Sequence, residues 1–262
     1  MSNYIDVERY PLHDRSGGRY KELVERARSD LEIDGMFNLD GFLKTEACKH
    51  AVKEIAPTMQ HQSFEHRRFH NLYFLDGIDG LSPDHPALQK VETVNHTVCA
   101  DQMTDSVVLA VYEWQPLLHF LADVMQKPEL YLMDDHMARA NVMAYRDSEA
   151  LNWHFDRSEF TTTLLLQSPD VGGDFEYRTN LRSDDDPNYD GVARLLQGSD
   201  GEKKTLVVEP GTLNVFRGKN TAHRVTPVEG DRERIIAVFS YYEFPGKVFS
   251  AKERIGFYGR PE

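Results

Sequence analysis

Cysteine is scarce in this sequence. Cys48 and Cys99 are the only two among 262 residues and show no Cys-x-x-Cys spacing, which excludes a disulfide framework. Both read as small buried hydrophobes, and a reduced cytoplasm is the expected setting. Long apolar runs are missing as well. No stretch of about eighteen apolar residues occurs, so no helix is expected to span a membrane. Met1 to Tyr10 carries Asp6, Glu8 and Arg9 where the apolar region of a signal peptide would lie, so no such peptide is expected. Positive charge is in deficit: 30 basic against 43 acidic side chains give a formal net charge of −13. That charge repels phosphate backbones and anionic lipid alike, which argues against nucleic acid and membrane as partners. Internal repeats and low-complexity tracts are absent too.

What is present is a chain with 40% hydrophobic residues, enough to bury one substantial core. The expected fold is mainly β with N-terminal helices: residues 1–136 form a helical elaboration packed on a jelly-roll core of residues 137–262, together one structural unit. Tyr20, Leu23, Val24, Ala27 and Leu31 recur at helical spacing, and Gly35 follows as a stop. A second helix is expected after Thr45 as N-cap, with Cys48, Ala51, Val52 and Ile55 on one face, meeting Pro57. Further helices are expected around Pro86 to Cys99 and after Pro116. Beyond Met137 the texture changes to short β-rich runs between Gly, Pro, Asp and Asn. The expected strands are Ala138–Tyr145, Leu151–Asp156, Phe160–Gln167, Asp174–Tyr177, Thr205–Val208, Thr212–Phe216, His223–Val228 and Ile235–Tyr242. Eight such strands suit a double-stranded β-helix, the cupin-like jelly roll that holds a ligand between its sheets. An insertion at 179–202 separates the fourth and fifth; its run Asp184, Asp185, Asp186 reads as solvated surface and Val192–Leu196 as an amphipathic fragment.

His154 and Asp156 stand two apart, the spacing that puts both side chains on one face of a strand, and His223 opens another strand. Two imidazoles and one carboxylate occupy one face of an octahedral Fe(II) and leave three positions for a bidentate oxo-acid and dioxygen. The oxo-acid's far carboxylate needs a fixed, buried cation, and arginine offers a bidentate fork. Arg232 and Arg234 are both candidates by spacing; Arg234 is preferred because it immediately precedes the apolar run Ile235 to Phe239.

His223-Arg-Val-Thr-Pro-Val228 followed by Arg234 and an apolar strand resembles the end of the Fe(II)/2-oxoglutarate oxygenase jelly roll. Asn141-Val-Met, Trp153-His-Phe-Asp156, Phe160-Thr-Thr-Thr-Leu-Leu-Leu-Gln167, Gly172-Gly-Asp-Phe-Glu176 and Phe257-Tyr-Gly-Arg260 resemble the radical halogenases of free amino acids and their hydroxylase relatives. Gly35-Met-Phe-Asn-Leu39 and His66-Arg-Arg-Phe-His-Asn-Leu-Tyr-Phe74 fit the same family, so the resemblance covers nearly the whole chain. It implies His154, Asp156 and His223 as metal ligands, Arg234 as the 2-oxoglutarate anchor, and a small free amino acid, lysine prominent among them, as substrate. Halogenases of this family carry glycine in place of the iron-binding carboxylate; Asp156 departs from that pattern and implies hydroxylation instead.

For the substrate, the cluster His66, Arg67, Arg68 and His70 is either a carboxylate clamp, with Arg68 preferred and His70 next, or a basic surface turn. Asp135 within Asp134-Asp135-His136 receives an amine or makes a turn. Trp153 and Tyr258 wall the pocket or belong to the core, and Asn141 and Glu159 face either the cavity or solvent. The expectation is an oxygenase using Fe(II), 2-oxoglutarate and O2 to hydroxylate a small, polar, lysine-like amino acid or derivative. Its rivals are desaturation or cyclisation by the same chemistry, hydroxylation of a protein residue, and a non-catalytic jelly-roll module; the last is disfavoured because a structural metal site closes its coordination sphere.

Overall fold

The computed structural model describes residues 1–262. In chain order its elements are α1 (Gly18–Ile33), β1 (Met36–Leu39), α2 (Thr45–Gln62), β2 (Phe64–His70), β3 (Val91–Cys99), α3 (Val107–Tyr112), α4 (Gln115–Val124), β4 (Tyr131–Leu132), β5 (Ala140–Tyr145) and β6 (Leu151–His154). They continue with β7 (Thr161–Gln167), β8 (Val171–Gly172), β9 (Phe175–Arg178), α5 (Tyr189–Leu196), β10 (Lys204–Leu206), β11 (Leu213–Phe216), β12 (Ala222–Val225), β13 (Val228–Glu229), β14 (Arg234–Phe239), β15 (Tyr241–Tyr242) and α6 (Ala251–Tyr258). The eight expected core strands are all present, as β5, β6, β7, β9, β10, β11, β12 and β14, with ends shifted by a few residues.

They form two facing antiparallel sheets. The larger has the order β1-β11-β7-β14-β5-β3-β2 and the smaller β10-β9-β12-β6, so consecutive core strands alternate between sheets as a jelly roll requires, except at β9 and β10, which pair within the smaller one. Period-two alternation gives the large sheet two unlike faces. Ile235, Ala237 and Phe239 of β14, Leu164 and Leu166 of β7, Val142 and Ala144 of β5 and Leu213 and Val215 of β11 are buried in one cluster with the helices. Tyr20, Leu23, Val24, Ala27 and Leu31 of α1 join them, each large side chain contributing about 1.5–3 kcal/mol of burial. The intervening residues point the other way, into a cavity of about 1030 Å³ between the sheets: Asn141, Met143 and Tyr145, Thr163 and Leu165, Asn214, Arg234, Ile236 and Val238.

Two local expectations are corrected. The stretch Pro86–Cys99 is a short 3-10 turn (Pro86–Leu88) followed by β3, whose Thr93, Asn95 and Thr97 line the cavity while Val98 enters the core. Buried polar residues on the inward face had broken the alternation that marks a strand. In α2 the first residue is Thr45, the N-cap is Lys44 without a side-chain bond, and the helix runs on through Pro57. Pro57 and Lys53 one turn earlier are both exposed, so the carbonyl that proline cannot pair faces water. Asp184, Asp185 and Asp186 are exposed as expected. The amphipathic fragment of the insertion is α5, whose Val192 and Leu195 pack with Leu72, Trp153, Phe155 and Leu181 beside the ends of β6 and β12. No helix is long and apolar enough to cross a membrane.

Candidate active site

His154 ends β6 and His223 lies on β12 directly opposite it in the antiparallel register. Cross-strand neighbours share a face, and their imidazole rings stand 4.1 Å apart. Asp156 lies just past the end of β6, its N–H donating to the Gly218 carbonyl at 3.0 Å. That turn aims the carboxylate back at both rings: Oδ1 is 3.4 Å from His154 Nε2 and Oδ2 is 3.5 Å from His223 Nε2. One ligand atom from each of the three side chains falls within 4.8 Å of the others, a grouping that could hold a metal ion.

The tautomers follow from the partners. His154 Nδ1 is 2.8 Å from the Asn152 carbonyl and His223 Nδ1 is 3.0 Å from that of Thr221. A carbonyl only accepts, so each Nδ1 carries a proton and Nε2 is left as the ligand atom of each ring. Burial pushes His223 down to about 4, His154 adding to it and Asp156 opposing. Burial disfavours the Asp156 carboxylate, but His223, His154 and the Thr161 hydroxyl outweigh it and hold that carboxyl well below its ordinary value. Two imidazole Nε2 atoms and a carboxylate thus face one another, the donor set a divalent iron requires.

Two residues without charge complete the carboxylate's seat. Thr161 at the start of β7 donates its hydroxyl to Asp156 Oδ2 at 2.5 Å. A Cβ at Gly218 would collide with that same oxygen and with the Thr161 hydroxyl, so only glycine lets the loop after β11 close over Asp156. Neither is marked by sequence spacing; a lone glycine in a loop following a strand is the one available hint.

Arg234 opens β14 and is 4% exposed, its side chain reaching the cavity. Nε donates to the Gly173 carbonyl at 2.9 Å, while Nη1 is buried with no partner. Burial lowers its pKa, Tyr145 and Asp174 opposing, and no carboxylate pairs with it. An orphaned, buried guanidinium nitrogen fits the far carboxylate of 2-oxoglutarate. Arg232 precedes the strand rather than sharing its face; it is half exposed, outside the cavity, and 3.6 Å from Asp170.

The structure sorts the remaining candidates. Arg68 lines the cavity with its Nε buried and unpartnered, and the Arg68 guanidinium lies 4.7 Å from the Phe74 ring centre. His66 lines it too, with an unpartnered Nε2. Asn141 and Tyr258 both line it, the tyrosine hydroxyl donating to Asn141 Oδ1 at 3.0 Å. Four expectations for substrate contact are corrected. Both ring nitrogens of His70 are occupied, by the Asn71 carbonyl and the Thr93 hydroxyl, and the ring stacks on Phe74. Trp153, one before His154, alternates to the opposite face and lies under Arg224. Glu159 is exposed and bound to Lys127. Asp135 is fully buried away from the cavity, accepting from the N–H groups of Met137, Ala138 and Phe249 and from Arg254.

No curated protein matches this sequence. Among solved structures, a 2OG-Fe(II) oxygenase family oxidoreductase from Burkholderia pseudomallei superposes with a TM-score of 0.53 at 15% identity, covering 86% of this chain and 92% of that one. The epimerase SnoN, solved with Fe3+, α-ketoglutarate and nogalamycin RO, gives 0.56 at 14% identity over 84% of each chain. A Pseudomonas putida prolyl-4-hydroxylase gives 0.51 at 12% identity, covering 83% of this chain and 98% of that one. At such identities the likeness shows a shared fold, that of the 2-oxoglutarate- and iron-dependent oxygenases. The sequence itself is more specific: the model of one family, Halogenase D, matches residues 20–244, a span holding His154, Asp156, His223 and Arg234, and the chain belongs to that family.

Proposed function

We propose that the protein is an Fe(II)- and 2-oxoglutarate-dependent hydroxylase of a free amino acid or a close derivative, working in the cytoplasm, where its two buried, unpaired cysteines stay reduced. The observation that carries the reading is Asp156, a carboxylate held between two imidazole Nε2 atoms where a halogenase needs a vacancy. Iron with 2-oxoglutarate supplies the oxidising power: dioxygen is consumed, the oxo-acid leaves as succinate and carbon dioxide, and a substrate C–H becomes C–OH.

The residues of the chain do the rest. His154, Asp156 and His223 would hold the metal, and all three line the cavity. Arg234 fixes the far carboxylate of 2-oxoglutarate, against apolar walls that include Leu151, Val225 and Ile236. Arg68 takes a carboxylate of the substrate, having no counter-ion within the protein. Phe74, Phe155 and Phe257 line the cavity and keep water from the reacting centre.

The test is product identity. The iron-loaded protein, given 2-oxoglutarate, oxygen, excess chloride and a panel of amino acids, is expected to release succinate with a responsive member and raise its mass by one oxygen. A chlorinated main product, which the family's name would favour, overturns the hydroxylase reading.

A further inference from the structure

Resting on that reading, we infer that the substrate carries two acidic groups, one met by Arg68 and the other by Arg182, so that an acidic amino acid rather than a lysine-like cation is the class turned over.

The charge lining the cavity points this way. Six cationic side chains reach it, Arg68, Arg157, Arg182, Lys219, Arg234 and Lys247, against the two carboxylates of Asp156 and Glu253. Arg234 is assigned to the co-substrate and Asp156 to the metal. Arg157 is paired with Glu253 at 3.3 Å and Lys219 with Asp184 at 2.6 Å. Arg68, Arg182 and Lys247 are left without a carboxylate, in a protein whose net charge is −13. A molecule so acidic has a surplus of partners for stray cations, yet it leaves these facing the cavity that holds the metal ligands.

Arg68 and Arg182 are also built to stay where they are. Arg68 has a buried, unpartnered Nε, and the one charged group acting on it is another cation, Arg157. It leans on Phe74, whose ring stands 6.3 Å from that of His154. Arg182 comes from the insertion and its guanidinium lies over the ring of Phe155, the residue between His154 and Asp156 in sequence, 3.9 Å from the ring centre. Its Nε donates to the Lys219 carbonyl at 2.7 Å, which fixes the guanidinium plane and leaves both terminal nitrogens free. Each is therefore a preoriented fork near the metal ligands, and a fork of this kind selects a carboxylate. An ammonium would find the opposite. Glu253, the one carboxylate not given to the metal, already accepts from the Ser250 N–H and hydroxyl and pairs with Arg157.

The test is anaerobic isothermal titration of protein saturated with Fe(II) and 2-oxoglutarate, so that the co-substrate cannot compete for the same arginines. The ligands are aspartate, glutamate and 2-aminoadipate, the amides asparagine and glutamine, and lysine. The expected result is that at least one dicarboxylic amino acid binds about tenfold or more tightly than its amide and than lysine, the order of a charged partner gained. Arg182→Met, which keeps the volume, is expected to erase the acid-over-amide preference with 2-oxoglutarate affinity unchanged. Arg182→Lys, retaining charge without the fork, is expected to keep part of it. Lysine or an amide binding as tightly as every acid overturns the inference while leaving the amino-acid hydroxylase reading intact, and so does an undiminished preference in Arg182→Met. If no amino acid of any charge binds while 2-oxoglutarate does, the free-amino-acid reading fails and this inference fails with it.

Discussion

The seat of Asp156 depends on two neighbours that bear no charge. Thr161 holds Oδ2 by its hydroxyl, and Gly218 leaves the space that the same oxygen fills. Gly218→Ala is expected to displace the carboxylate and weaken Fe(II) or Mn(II) binding about 10- to 100-fold, the usual effect of losing support around a metal ligand, with little change in unfolding temperature. Metal titration at wild-type affinity would show that the glycine is not needed for the seat. Arg234→Ala is expected to cost about 2–5 kcal/mol of 2-oxoglutarate binding by leaving a buried carboxylate unpaired, whereas Arg232→Ala, at the surface, leaves it unchanged; direct titration of both variants decides between the two arginines. His154, Asp156 and His223 were singled out by the two-residue step, the strands around them and the family resemblance together, although Asp156 lies past the end of β6 and is turned to the site by the loop rather than by the strand's alternation. Spacing was blind to Thr161, which a short turn brings back onto Asp156 from the start of β7, and to Gly218, which arrives from a loop more than sixty residues on.

Asp135 illustrates what an element requires. Its carboxylate, 0% exposed, gathers the Met137 and Ala138 N–H groups ahead of β5, the Phe249 N–H ahead of α6, and Arg254 on α6 itself. Burial works against ionisation there, but the Ala138 and Phe249 N–H groups, Arg254 and Met137 outweigh it and hold the carboxyl below its ordinary value. A lowered carboxylate stabilises the fold fully above its unfolded-state pKa and ceases to as pH falls through the folded one. Asp135→Asn is thus expected to lose about 3 kcal/mol at neutral pH, a gap that narrows on acidification. Chemical denaturation at several pH values measures it, and a gap independent of pH would contradict the assignment. An acid before a strand reads equally as a turn or a ligand; only the arrival of α6 from the far end of the chain decides. The misread β3 has the same origin. Thr93, Asn95 and Thr97 look like solvent-facing residues until the opposite sheet encloses them over a cavity.

The whole molecule binds its small partners between sheets that each depend on distant parts of the chain. Fe(II) with 2-oxoglutarate at about a hundredfold excess over Kd is expected to stabilise the fold by about 2.7 kcal/mol, a rise of roughly 5 to 10 °C in Tm for a chain of this size. His154→Ala should show no such rise with iron, and thermal melts with and without the ligands check it. The jelly roll was legible as a whole because eight short runs and their turns are a strong pattern; the added strands β1, β2 and β3 were not, since β1 pairs with β11 near the far end of the chain and β2 and β3 extend the sheet from the edge of β5. That sheet places β14, almost the last strand made, between β5 and β7. On the ribosome, β5 and β7 must therefore emerge and wait with open edges until residues beyond Phe239 are synthesised, and Arg234 arrives only with the strand that closes them. A nascent or prematurely terminated chain lacking β14 cannot reach a partly working state: it would have neither a continuous sheet nor a place for the co-substrate, and its exposed strand edges would make it a client for chaperones and proteases.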